Sequence, residues 1–150
     1  MLAYRIVKRA HAAEAFTGEG ARLHGGRWNV PGVPMVYAAQ TRALAALETL
    51  SHFAGAERRI SFVTFEIEIP DALVLRLDRA TLKRGWRSPI PGPASQDVGT
   101  QWQREGRSVA LAVPSVVIPE EHCILLNPQH PDTARVIVHY PVAFAFDERL

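Results

Sequence analysis

The chain has 150 residues, of which 47% are hydrophobic and 21% charged, a composition that excludes disordered, collagen-like and coiled-coil proteins. We therefore expect one globular domain over residues 1–150. The formal net charge of +2 is small and the arginines are scattered, so a general nucleic-acid-binding surface is not indicated. A lone cysteine, a charged N-terminal segment and the lack of a long apolar run predict a cytoplasmic protein without a secretory signal or membrane span.

The first quarter of the chain is predicted to be a strand followed by a loop. Residues 3–7 form the strand, and a short helical stretch near residues 10–16 follows it. Several glycines then indicate a loop that leads to Arg27. Residues 35–38 have the composition of a second short strand, and Tyr37 lies within it.

An amphipathic helix is predicted from Arg42 to about residue 54. Thr41 is suited to cap its N-terminus, and apolar residues recur after it at helical spacing. Glu48 lies one turn after Leu44, at the border of the apolar arc. A carboxylate at that border is able to face a cleft.

The remainder of the chain is rich in predicted strands. One helix is expected to begin at Ser95 and to end near Gly106, after a short helical stretch near residues 79–84. Apolar pieces predict strands over residues 62–69, 72–77, 109–113, 115–118, 123–126, 135–140 and 142–146. Because strands mostly follow strands, we expect an α+β fold with a twisted, partly antiparallel sheet and flanking helices.

Several common catalytic motifs are absent from the sequence. It contains no phosphate-binding P-loop, no dinucleotide-binding G-x-G-x-x-G after a strand, no G-x-S-x-G elbow and no H-E-x-x-H. The six histidines lack metal-ligand spacing, so no metal is expected. The apolar neighbours of Cys123 favour a core position over a nucleophilic one.

Four polar residues in apolar contexts form a chemically coherent set. Each of them is ordinary when considered alone. Together, Arg27 offers donors for a diphosphate, Tyr37 offers a ring for stacking, and Glu48 is able to stabilise an oxocarbenium-like transition state. With Ser115, they suit cleavage of the glycosidic bond of a dinucleotide. The alternative from another class is a non-catalytic module in which Arg27, Trp28 and Tyr37 bind a nucleotide or single-stranded nucleic acid.

Blocks spread over nearly the whole chain resemble the RES domain family, in an order and spacing that agree jointly. The blocks are His24-Gly-Gly-Arg-Trp-Asn29, Pro34-Met-Val-Tyr-Ala-Ala39, Leu44-Ala-Ala-Leu-Glu-Thr-Leu50, Val113-Pro-Ser115, Leu125-Leu-Asn-Pro128 and His130-Pro131. One departure is His122, where asparagine is expected. By position, Arg27, Glu48 and Ser115 match the arginine, glutamate and serine of the family name.

The resemblance implies the toxin of a type II toxin–antitoxin pair, with a fold similar to that of diphtheria-toxin-like ADP-ribosyltransferases. It implies NAD as substrate, Tyr37 on the nicotinamide side and Arg5 as a further NAD-contacting residue. It implies a helix-turn-helix antitoxin of the Xre type. Transfer of ADP-ribose to a protein target is the favoured reaction, and NAD glycohydrolase or phosphorylase activity is the alternative. His24 and His52 are expected to be structural or rim residues.

Overall fold

The computed structural model describes residues 1–150, apart from the side chain of Arg58. The strands are β1 (Leu2–Lys8), β2 (Val36–Ala39), β3 (Phe62–Glu68), β4 (Val74–Arg76), β5 (Ala110–Pro114), β6 (His122–Leu126), β7 (Ile137–Val138) and β8 (Val142–Phe144). The α-helices are α1 (Glu19–His24), α2 (Arg42–Leu50) and α3 (Pro93–Glu105). Short 3-10 helices cover Arg9–Glu14, Ala56–Arg59, Asp71–Leu73, Arg79–Thr81 and Pro131–Arg135.

The strands form one mixed sheet in the order β4-β5-β6-β2-β1-β3-β7, and β8 also pairs with β3. Only β4 and β5 are parallel among the described pairs; the others are antiparallel. The predicted α+β class with a partly antiparallel sheet is confirmed. Strand β2 lies at the centre, so each of its residues has a neighbouring strand on both sides, β1 on one and β6 on the other.

Both faces of the sheet are covered. One face packs against the segment around Ala15 and Phe16. On the other face, Leu44 and Ala45 of α2 pack near β1 and β2, and Trp102 of α3 packs on β5 and β6. Since residues that alternate along a strand point to opposite faces, the register decides which side chains meet the two helices.

Most of the predicted elements are confirmed, with shifts of a few residues at their ends. The helix after Thr41 ends at Leu50, not near residue 54, and the helix expected to begin at Ser95 begins at Pro93 after the N-cap residue Gly92. Its end is confirmed, because Gly106 has φ of 60° and terminates α3.

Two predictions of local structure are wrong, and two predicted strands are shorter than expected. Residues 115–118 form a bend and no strand, because the Ser115 hydroxyl accepts the backbone N–H groups that a strand would pair. The loop before Arg27 contains α1, bounded by Gly18 and Gly25 in the left-handed region. The strand over residues 135–140 shrinks to β7, and that over 72–77 to β4, since 3-10 helices occupy the start of each region.

Candidate active site

Helix α2 places Glu48 against the sheet. The Thr41 hydroxyl accepts the backbone N–H of Leu44 at 3.0 Å and so caps the helix. Leu44 and Ala45 are buried, and Glu48 lies one turn after Leu44 on the same side of the helix. The carboxylate is half-buried and reaches the ends of β5 and β6.

Ser115 meets Glu48 directly. Its hydroxyl donates to Glu48 Oε1 at 2.6 Å, and Ser115 is fully buried at the end of β5. The same oxygen accepts the backbone N–H groups of Val117 and Ile118, each at 3.0 Å. With both acceptor positions filled, the hydroxyl hydrogen is directed to the carboxylate.

Cys123 also contacts the carboxylate. Its Sγ lies 3.2 Å from Glu48 Oε1, and the residue is buried in β6 opposite Val113. Burial raises the pKa of the Cys123 thiol, and the negative charge of Glu48 raises it further. The predicted core position of Cys123 is confirmed, and its sulfur also touches a candidate catalytic group.

Tyr37 lies on the face of β2 that carries the helices. Its hydroxyl donates to Asn29 Oδ1 at 2.7 Å and accepts the Trp28 N–H at 2.9 Å. Burial raises its pKa above the usual range. The hydroxyl is therefore occupied by protein groups, and the half-buried ring is the part available for stacking.

Arg27 follows the glycine pair and is half-buried. Its Nη1 donates to the carbonyl oxygens of Trp86 at 3.2 Å and Ser88 at 2.6 Å, and its Nη2 donates to that of Pro89 at 3.4 Å. Partial burial lowers the pKa of Arg27, while the charge of Glu48 opposes this lowering. Arg27 and Glu48 thus act on one another electrostatically.

The segment that carries Arg27 is fixed by residues outside the predicted set. Asn29 is fully buried and donates through Nδ2 to the carbonyl oxygens of Ala21, Val30 and Val33 at 2.9, 3.1 and 3.0 Å. Gln96 of α3 donates to the Gly26 carbonyl at 3.1 Å. These contacts join α3 to the candidate site.

The structure places Arg5 on the opposite face of the sheet from the other candidates. Its Nε donates to the Ala15 carbonyl at 2.9 Å and its Nη1 to the Tyr37 carbonyl at 2.5 Å. Arg5 therefore touches the backbone of β2 beneath Tyr37 and does not join Arg27, Glu48 and Ser115. Its contact with NAD stays a prediction.

Among the described contacts, no histidine side chain is hydrogen-bonded to Arg27, Tyr37, Glu48 or Ser115. His24 and His52 are exposed, and the backbone N–H of His122 donates to Gln40 Oε1 at 3.1 Å. Burial lowers the pKa of His122, as does the charge of Arg76. Among the described residues, no group of three or more His, Cys, Asp or Glu is placed to hold a metal ion. None of the described helices is long and apolar enough to cross a membrane.

Sequence reasoning missed Asn29, Gln96 and the thiol contact of Cys123. Asn29 stands directly after Trp28 in a conspicuous block, and a fully buried asparagine at that position could have been considered as an organiser of the loop. Gln96 and Cys123 give no such signal. Their contacts depend on how α3 and α2 cross the sheet, which the sequence pattern does not specify.

Comparison with known proteins identifies the family of the chain. The model of the RES domain family matches residues 2–147. The chain is 41% identical over 152 residues to a Yersinia enterocolitica protein named Toxin Res, with coverage of 100% of this chain and 99% of that one. It is 39% identical over 145 residues to a Sphingobium protein named Prs ADP-ribosylating toxin, with coverage of 95% and 90%.

A solved structure has the same fold. The structure titled the M. tuberculosis MbcT-MbcA toxin-antitoxin complex aligns with a TM-score of 0.77 and 21% sequence identity. The alignment covers 96% of this chain and 84% of that one. Because the family model spans almost the whole length and two relatives match over nearly all of theirs, the chain belongs to the RES domain family.

Proposed function

We propose that this protein is the toxin of a toxin–antitoxin pair, and that it cleaves the nicotinamide glycosidic bond of NAD and transfers ADP-ribose to a protein target. The hydrogen bond between Ser115 and Glu48, 2.6 Å long, is the observation that carries the proposal. It joins Glu48 of α2 to Ser115, which directly follows β5, and these two residues match the glutamate and serine of the family name by position. The Sphingobium relative, named an ADP-ribosylating toxin, supports the reaction class.

Glu48 is assigned the role of stabilising the transition state. When the bond between the anomeric carbon and the nicotinamide nitrogen breaks, the electron pair leaves with nicotinamide and positive charge develops on the ribose. A carboxylate fixed beside that ribose favours the charged state more than the ground state. Ser115 holds Oε1, and no described residue donates to Oε2, so Oε2 is available for a ribose hydroxyl.

Arg27 is assigned to the diphosphate. Of its five N–H donors, three are directed at the carbonyl oxygens of residues 86–89. Among the described contacts, the Nε–H and one N–H of Nη2 have no protein acceptor, so both are available to a ligand. Two donors on a planar group suit a pair of phosphate oxygens, and the three carbonyls hold the guanidinium in place.

Tyr37 is assigned to the nicotinamide end of the ligand through its ring. The two hydrogen bonds to its hydroxyl fix the ring plane, which lowers the entropy lost when a flat heterocycle stacks on it. This pre-organisation supports recognition of the nicotinamide ring and its ribose.

The acceptor decides which product forms. A nucleophile adds to the anomeric carbon and loses its proton, and it is supplied by a protein side chain in transfer, by water in hydrolysis and by phosphate in phosphorolysis. We favour transfer to a protein because of the Sphingobium relative's name. As partner we propose an Xre-like helix-turn-helix antitoxin, since the structural neighbour is a toxin in complex with its antitoxin.

The test is release of free nicotinamide from NAD by the purified protein. The reaction is run alone, with phosphate, and with a protein extract, and the products are separated by mass. We expect release in wild type and an ADP-ribosylated protein in the extract, and little release by Arg27→Ala, which loses diphosphate contacts. Glu14→Gln, an exposed acid in the segment on the opposite face of the sheet, serves as control and keeps wild-type activity.

The rival module predicts a different result. A protein that only binds nucleotides retains NAD or single-stranded nucleic acid and releases no nicotinamide under any of the three conditions. That outcome overturns the enzymatic proposal. If nicotinamide is released but only water or phosphate accepts the ADP-ribose, NAD cleavage is supported. Protein transfer is then wrong, and the activity is that of an NAD glycohydrolase or phosphorylase.

A further inference from the structure

Two donors from neighbouring strands converge on one oxygen of Glu48. The Ser115 hydroxyl lies 2.6 Å and the Cys123 sulfur 3.2 Å from Oε1. Ser115 directly follows β5 and Cys123 lies in β6, and both strands belong to the sheet that α2 crosses. The rigid sheet thus defines where this oxygen lies.

A carboxylate held by one donor is still free to turn. The terminal torsion of a glutamate side chain is broad and nearly two-fold, so a single hydrogen bond leaves the carboxylate plane poorly defined. A second donor to the same oxygen, from a different direction, restricts that rotation. The other oxygen, Oε2, then keeps one orientation.

The surroundings of Cys123 suit a permanent donor. The residue is 9% exposed and packs with Leu125, Val113 and Trp28. A thiol buried beside a carboxylate stays protonated, because a second negative charge there is strongly unfavourable. The S–H hydrogen is therefore present to be donated, and the sulfur is not disposed to act as a nucleophile.

We propose that Cys123 is a positioning residue for Glu48, whose thiol acts with the Ser115 hydroxyl to fix Oε1 and leave Oε2 directed at the ribose. This inference rests on the proposed function and deepens it. The competing interpretation is that Cys123 only fills space in the core. The two interpretations differ over whether the donor atom matters.

The first experiment needs no activity. Cys123 is the chain's single cysteine, so the S–H stretching band in a Raman spectrum reports this thiol alone. We expect the wild-type band at lower wavenumber than a free thiol, and a shift to higher wavenumber in Glu48→Ala, with no shift in Glu14→Ala. An identical band in wild type and Glu48→Ala overturns the proposal.

The second experiment measures steady-state nicotinamide release. Cys123→Ala removes the donor, and we expect kcat to fall by about three- to tenfold with KM nearly unchanged, the range for a hydrogen bond of ordinary strength, since a thiol is a weak donor. Cys123→Ser keeps a donor and should recover most of the loss. An equal loss in both variants, or no loss in either, overturns the positioning role.

Failure of the proposed function would look different. In that case wild type itself releases no nicotinamide, whereas the Raman band still shifts when Glu48 is removed. The thiol contact is then upheld as a fixed feature of the site, and its link to NAD cleavage is overturned.

Discussion

The hydroxyl of Tyr37 is bonded to protein groups on both sides, by the Trp28 N–H and by Asn29. Asn29 in turn holds three backbone carbonyls of residues 21–33. Through these bonds, one strand residue fixes the loop that carries Arg27. At the residue scale, residue type and family resemblance singled out Arg27, Glu48 and Ser115, and the structure brings Glu48 and Ser115 into contact; their chemical roles stay predictions. The role of Tyr37 as an anchor for the loop could not be predicted from the sequence, because it depends on the buried side chain of Asn29.

Tyr37→Phe tests this anchor. The change leaves the Trp28 N–H and Asn29 Oδ1 without their partner, so we expect the free energy of unfolding to fall by about 1–3 kcal/mol. Urea denaturation of wild type and variant measures the difference. The matched control is Tyr140→Phe, since Tyr140 is 95% exposed and should change stability little. Equal stability of the two variants would contradict the anchor.

At the scale of elements, periodic patterns predicted α2, β3, β5 and β6, because each buries one face or both against the core. Short elements with mixed composition were missed or misplaced. Helix α1 has only six residues, and it is bounded by glycines that also suit a loop. The strand expected after Ser115 does not form, since a side-chain hydroxyl satisfies the backbone there. Hydrogen bonds between a side chain and the nearby backbone produce no periodic pattern in the sequence.

Helix α3 approaches the Arg27 segment so closely that only glycine fits at the contact. A Cβ at Gly99 would lie 2.0 Å from the Trp28 carbonyl oxygen, and a backbone atom cannot move aside without displacing the loop. We expect Gly99→Ala to destabilise the protein by about 1–3 kcal/mol or more. It should also reduce NAD cleavage, because Arg27 moves with Trp28.

Gly20→Ala is the control for that change, also within a helix but with open space around it. Alanine usually stabilises a helix relative to glycine by about 0.5–1 kcal/mol. The two substitutions should therefore have opposite signs in urea denaturation. If both stabilise the protein, the close approach of α3 to Trp28 is wrong.

At the scale of the whole molecule, the site is assembled from segments far apart in sequence. Glu48 and Cys123 are 75 residues apart, and Arg27 contacts carbonyls about 60 residues further along the chain. The fold class followed from the succession of strands. The strand order did not, because it depends on pairing between strands that are distant in sequence. The placement of Arg5 on the far face did not either, because a one-residue shift in register moves a side chain to the opposite face.

The buried thiol makes global stability depend on pH. In the folded protein the raised pKa keeps Cys123 protonated, while the unfolded chain loses this proton above about pH 8.5. The unfolded state then binds fewer protons, so stability falls as pH rises. Between pH 8 and 10 this contributes a loss of about 2 kcal/mol.

Urea denaturation across that range, in wild type and in Cys123→Ala, isolates the contribution of the thiol from those of other groups. We expect the stability advantage of wild type over the variant to shrink as pH rises. A constant difference would show that the thiol is ionised as easily in the folded chain as in the unfolded one.

The most direct test of the central claim separates binding of NAD from its cleavage at Glu48. Glu48→Gln keeps the size of the side chain and removes the charge that the oxocarbenium-like state requires. Calorimetry should find that this variant still binds NAD, because Arg27 and Tyr37 are intact. Single-turnover release of nicotinamide should be at least about a hundredfold slower than in wild type. Release at the wild-type rate would contradict the assignment of Glu48 as the catalytic carboxylate.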